Sequence, residues 1–256
     1  MTDSPSPALP LRVDPYCGPA PSPETLLTTW NADPALLAVL TLAGGAGWWH
    51  LRRAKAGRQR AFGVAAGVAL LAFVAPLCAL TVALFAARGV HHLVLVFALA
   101  PALACAFPLR NAQGAPAFIA LSAALWAWHV PPLYAAAWDH AAVYWAMQAA
   151  LILPAWAFWS GVMRPGGAGA RLGAGLLLAG LAGQMGLIGA ILTFAPRVLY
   201  PEHLATTEAF GLSPLADQHL AGLVMWVPGM LPAAIAAGWL LRRAWAEATA
   251  AQDARA

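Results

Sequence analysis

The sequence predicts an all-α, polytopic membrane protein, a bundle of seven transmembrane helices with its N-terminus outside and its C-terminus in the cytoplasm. Three observations carry the class. Hydrophobic residues make up 61% of the 256 and charged residues 9%, with mean hydropathy +0.69; soluble domains carry about 25% charged residues. The apolar runs are continuous and lack the period of two of barrel strands. Seven of them approach the ~20 residues that cross a hydrocarbon core. Abundant Ala and Gly suit helices packed closely in lipid.

Residues 1–33, rich in Pro, Ser and Asp, read as an outer polar tail. With no basic start and no apolar core before Pro34, the tail is not a secretory leader. Cys17 stands there among turn formers without an evident exposed partner, so no structural disulfide is expected. The membrane domain covers 34–241, with spans at 34–51, 61–86, 90–109, 115–135, 140–163, 171–194 and 216–241; residues 242–256 form a cytoplasmic tail. Cys78 and Cys105 fall inside spans and read as packing residues.

The fourth span ends in WAWHVPPLY. Pro131 and Pro132 lack N–H groups and free carbonyls near Ala127 and Trp128, which breaks the helix beside His129. Such a break is tolerated at membrane depth where protein or a wet cavity covers it. An interfacial aromatic belt explains Trp126, Trp128 and Tyr134 but not the break. In the fifth span Tyr144, Met147, Gln148 and Leu151 share a stripe with His140, suited equally to site lining and to interhelical hydrogen bonding. The sixth carries Gly180, Gly183, Gly186 and Gly189 as close-packing positions beside Gln184 and Met185. Pro196, Tyr200 and Pro201 then suggest a fixed outer lid. In the seventh, Gln218, Ala221, Gly222, Met225 and Gly229 form one face.

Basic residues orient the bundle. Arg52, Arg53, Lys55, Arg58, Arg60, Arg110, Arg164, Arg171, Arg242, Arg243 and Arg255 fall on one side, against Arg12, Arg88 and Arg197 on the other. The basic side faces the cytoplasm. His91, His92, His129, His140, His203 and His219 then lie outside, with Met147, Met185 and Met225 one or two turns below. Neutral imidazole with thioether suits copper, Cu(I) in particular. The candidate metal ligands are His92, His129, His219, Met225, Met147 and Met185. His50 and His203 read as structural, and any histidine near a helix end also serves headgroups or free carbonyls. His91 and His92 stand about 100° apart, so at most one of them easily faces the bundle centre. Asp217 is placed to cap its own helix. Asp217 and Gln218 are also placed to orient a ligand histidine through a hydrogen bond.

The sequence has no Cys-X-X-Cys, phosphate-binding loop, dinucleotide fingerprint or serine-hydrolase elbow, and no basic patch suited to nucleic acid. No enzymatic activity is expected.

WHVPPLYAAA (128–137), LTFAPRVLYPE (192–202) and SPLADQHLAGLVMWVPG (213–229) resemble the signature segments of integral-membrane CtaG-like cytochrome c oxidase assembly factors. The likeness runs from about Trp30 to the last helix. It implies a seven-helix protein needed to make active haem–copper oxidase, through its copper centres. Two departures stand out. Arg88 occupies the place of the first histidine of the family's His-Met-x-x-His, with His92 at the second. Tyr144, Met147 and Gln148 replace a histidine-bearing element in the fifth helix. A ligand set copied whole from the family is therefore not expected.

The expected function is copper delivery or insertion during oxidase assembly, on the outer face of a cell membrane (the inner one where there are two). Expected partners are oxidase subunits, a periplasmic copper donor and membrane lipid. Alternatives are an oxidase-docking scaffold without metal, a copper transporter and a b-type haem protein. Soft inward residues are limited to Cys105 and Met163, which disfavours a transporter.

Overall fold

A computed structural model of the chain describes residues 15–164 and 166–253. Eleven α-helical segments occur there: α1 (Pro34–Leu51), α2 (Ala56–Phe73), α3 (Leu77–Ala83), α4 (Phe85–Val94), α5 (Ala100–Ala106), α6 (Gly114–Trp128), α7 (Pro131–Asp139), α8 (Ala141–Val162), α9 (Ala168–Phe194), α10 (Pro214–Val224) and α11 (Leu231–Asp253). No strand occurs among the described residues. Six stretches are long and apolar enough to cross a membrane. The bent pair α6–α7 raises the number to seven if it counts as one span. The first span coincides with the expected 34–51, and the others start or end within a few residues of expectation apart from the last, which runs to Asp253.

Prolines set the breaks. Pro76 separates α2 from α3 because its ring restricts Ala75 and supplies no N–H. The carbonyls freed at the end of α2 are taken by the N-terminal segment: Asn31 donates its backbone N–H to Val74 O at 2.9 Å and its side-chain amide to Phe73 O at 3.2 Å. Pro101 acts on the next helix, where a π-helical turn over Leu95–Leu99 joins α4 to α5. The N–H of Ala100 goes to Leu95 O, and Pro101 cannot donate, so Val96 O is left over. The indole of Trp159 donates to it at 2.7 Å. A second π-turn, Met225–Gly229, contains Pro228 and joins α10 to α11.

Packing follows small residues. α9 runs against α10 and α11, α4 against α10, and α6 against α8. A Cβ on Gly189 would stand 2.7 Å from Gly222 O, and one on Gly222 would stand 2.6 Å from Gly189 O. Helices α9 and α10 therefore touch backbone to backbone. Gly180 meets Phe118, and Gly186 lies beside Trp226 and Met230. Gly183 meets nothing within 4 Å, so the expectation of close packing fails there. The expected face of the seventh span is buried at all five positions, Gln218, Ala221, Gly222, Met225 and Gly229. The stripe Tyr144, Met147, Gln148 and Leu151 is buried as well.

The expectation about Cys17 is corrected: Cys17 and Cys78 form a disulfide, with Cα atoms 5.4 Å apart. Cys78 sits at the start of α3, just past the Pro76 break, where the chain has re-emerged beside the N-terminal segment. That segment, from Pro15 on, is docked and not a free tail. Tyr16 stacks on Tyr144, ring centroids 4.8 Å apart, and its hydroxyl donates to Asp33 Oδ2 at 2.5 Å. Cys105 is a free thiol.

Candidate functional site

The site sits where α4, the α6–α7 break and α10 converge. Phe85, Arg88, Gly89 and His92 of α4 line a cavity of ≈10 Å³ together with Trp128, His129, Tyr134 and Met225. A space of that size holds about one water-sized sphere.

Each wall has a local cause. Helix α4 starts at Phe85, and the free N–H groups of Phe85 and Ala86 are accepted by the Asp217 carboxylate at 2.6 and 3.1 Å. Asp217 thus caps a neighbouring helix. Its own helix is capped by Ser213, whose hydroxyl accepts the N–H of Ala216 at 3.2 Å. The expectation that Asp217 caps α10 is corrected accordingly. One and two turns below Phe85, α4 presents Arg88 and His92 to the cavity. His91 points the other way, and its Nε2 donates to Ala72 O at 3.1 Å; one of the two adjacent histidines does face the centre. Gly89 lets α10 approach, with Ala221 O and Met225 Cγ each 3.8 Å from where a Cβ would lie.

On the opposite wall α6 ends at Trp128, and the chain turns by 80° into α7. His129 lies in this break. Its Nδ1 meets Leu125 O at 2.6 Å; a carbonyl can only accept, so Nδ1 carries the proton and Nε2 keeps a lone pair. The rings of His92 and His129 are 6.4 Å apart at their centroids and nearly perpendicular, at 81°. His92 is buried, and its Nε2 has no hydrogen-bond partner. Arg88 is 4% exposed, and its Nε and Nη1 also lack partners. Its guanidinium stands 5.6 Å from the ring centroid of Tyr144 and 6.0 Å from that of Tyr134, and no ion pair to it occurs among the described residues. A buried cation without a counter-charge is costly, so Arg88 dominates the local potential.

The loop between α9 and α10 closes the top. Tyr200 donates its hydroxyl to His129 O at 2.9 Å and stacks on Phe85 at 3.9 Å. His203 Nε2 lies 2.7 Å from the Tyr134 hydroxyl. Burial, helped by the charge of Arg88, lowers the His203 pKa to about 3. Burial likewise raises Tyr200, and it raises Glu202 above the usual carboxylate range. Gln218 fixes the loop from below, accepting from Leu199 N at 2.7 Å and donating to Arg197 O at 3.2 Å. The loop is the fixed lid that its prolines and tyrosine suggest.

Of the six candidate ligands, His92, His129 and Met225 share the cavity. His219 does not line it; its Nε2 donates to Ala195 O at 3.0 Å and anchors the end of α9. Met147 and Met185 are buried in the apolar core and do not line the cavity. Neither Asp217 nor Gln218 bonds to a histidine ring; both hold backbone. Among the described residues no three His, Cys, Asp or Glu side chains gather as a metal would need. The cavity instead combines two imidazoles, one thioether and a guanidinium. The sequence places Arg88 between the second and third spans, among the charges opposite the basic side; its burial within α4, beside His92 and His129, was not legible there.

No curated protein and no solved structure matches the chain. The family model described as "Cytochrome c oxidase caa3 assembly factor" matches residues 111–247, just over half of the chain. The match takes in the α6–α7 break, the lid and the α10 segment, while α1 to α5, with Arg88 and His92, lie outside it. The chain belongs to the cytochrome c oxidase caa3 assembly factor family.

Proposed function

We propose that this protein helps to assemble a cytochrome c oxidase from the outer face of the membrane, as a seven-span bundle that handles copper as cargo at His92, His129 and Met225. The observation that carries the copper reading is the convergence of these three side chains on one small cavity. His92 Nε2 is buried without a partner, and an unfilled buried nitrogen costs about 1–3 kcal/mol. His129 is oriented with its Nε2 free. Two imidazoles on one ion, with metal–nitrogen bonds near 2 Å, have centroids about 5–6 Å apart, the larger value only for a near-linear pair, so the rings, 6.4 Å apart here, close slightly to share an ion. Arg88 selects the charge of the cargo. Coulomb repulsion doubles from a monovalent to a divalent ion, so Cu(I), which the thioether also favours, is the form that fits.

The outer face is supported by two independent features. The basic residues concentrate at the other end of the bundle. The Cys17–Cys78 disulfide lies at the end of the second span away from the basic segment 52–60, and disulfides persist in oxidising compartments. The oxidase, and the donor that supplies copper, are the partners this reading requires.

A docking scaffold that binds no metal is the second reading, favoured by the unpaired Arg88 at the cavity. Deleting the gene and measuring copper and haem in the remaining oxidase separates the two. Copper-depleted oxidase with haem retained supports cargo handling. Loss of whole subunits supports the scaffold.

A further inference from the structure

At the end of the bundle away from the disulfide, α8, α9 and α11 leave a cavity of ≈470 Å³ between them. Three arginines line it, Arg164 just beyond α8, Arg171 in the first turn of α9 and Arg243 in α11. No acidic side chain lines it. Arg171 pairs with Glu247; Arg164 and Arg243 have no ion-pair partner among the described residues. The Arg243 guanidinium lies 4.4 Å from the centroid of the Trp239 ring, which holds its charge in place.

The remaining wall is hydrocarbon. Met163, Ala236 and Trp239 supply its accessible surface, over the buried Val162, Leu178 and Leu240, and Trp159, bonded to Val96 O, lies among them. A general excess of arginine at a cytoplasmic end is expected for any such bundle. That rule does not require three of them to meet over one apolar crevice between helices. Water alone would leave the arginines unneutralised, and a small inorganic anion would leave the apolar wall wet. A molecule with a negative head and a hydrocarbon tail satisfies both.

We propose that the crevice between α8, α9 and α11 is a binding site for an anionic phospholipid, with the phosphate on Arg164 and Arg243 and an acyl chain along Met163, Ala236 and Trp239. Each arginine near a membrane surface adds roughly a factor of five to the attraction for anionic lipid, so losing two weakens binding at least about tenfold.

The test uses the full chain, purified in a neutral detergent and titrated with phosphatidylglycerol, phosphatidylcholine or inorganic phosphate, with bound lipid read by native mass spectrometry. Wild type is expected to hold phosphatidylglycerol at least tenfold more tightly than phosphatidylcholine, with millimolar phosphate failing to displace it. The double variant R164Q/R243Q is expected to lose that preference. The variant Ala236→Phe, which fills the crevice and keeps every arginine, is expected to lose binding of the lipid. Equal binding of the two lipids by wild type overturns the proposal, as does an unchanged preference in R164Q/R243Q. Displacement by phosphate alone shows an anion site without lipid and also overturns it. Should neither variant fold, the wild-type comparison decides.

Discussion

The carboxylate of Asp217, in α10, accepts the N–H groups of Phe85 and Ala86 at 2.6 and 3.1 Å and caps α4 across the helix interface. This bond fixes the start of the helix that carries Arg88 and His92. Asp217→Ala leaves two buried donors without an acceptor and is expected to cost about 1–3 kcal/mol. Asp217→Asn, which can still accept one bond, should cost less. Thermal unfolding in a fixed detergent measures both.

The backbone contact of α9 with α10 has no room for a side chain. A Cβ on Gly222 would lie 2.4 Å from Thr193 Oγ1 and 2.6 Å from Gly189 O. Gly222→Ala should therefore destabilise by about 1–3 kcal/mol. Gly183→Ala, with nothing within 4 Å of its Cβ, should be neutral or slightly stabilising in the same assay.

The Cys17–Cys78 bridge closes a loop across 61 positions of sequence. Cys17→Ser, Cys78→Ser and the double variant should each lose about 2–4 kcal/mol and match one another. A double variant clearly worse than either single one would show that the thiols pack independently. A shift in gel mobility on reduction checks the bridge in the native membrane.

Acid should loosen the lid through His203. Its folded pKa is lowered to about 3, from an ordinary 6.5, by burial and then by Arg88. Between these values the unfolded chain binds a proton that the folded one does not, so stability falls as pH drops below about 6.5. Glu202, raised by burial, acts in the opposite sense above pH 4.5, so the His203 effect is read as the difference between wild type and His203→Gln below about pH 6.5. The protection of amides in residues 195–213, hydrogen exchange corrected for the intrinsic rate at each pH, should fall as pH drops below about 6.5 in wild type and change less in His203→Gln.

Much of the bundle was legible because apolar length and proline position act locally. The 34–51 span, the break at His129 and the buried face of α10 follow from runs and spacings within one segment. What was not legible depended on a partner far along the chain. Cys78 reads as a residue inside a span until Pro76 returns the helix end to the docked N-terminal segment. Asp217 reads as a cap for its own helix because Phe85 lies 132 positions away. The soft-ligand pattern overreached for the same reason. His219, Met147 and Met185 occupy plausible depths, yet His219 is bonded to Ala195 O, Met147 and Met185 are packed in the apolar core, and none of the three lines the cavity.

Anaerobic Cu(I) titration of the purified protein tests copper handling at His92, His129 and Met225 most directly. Wild type should bind about one Cu(I) per chain. His92→Ala and His129→Ala should abolish this, and Met225→Leu should weaken it. His219→Ala, Met147→Leu and Met185→Leu should leave it intact. Arg88→Leu, by removing a like charge from the cavity without adding a sulfur ligand, should tighten it about tenfold or more. No Cu(I) bound by wild type, or the same binding in His92→Ala and His129→Ala as in wild type, would contradict the account.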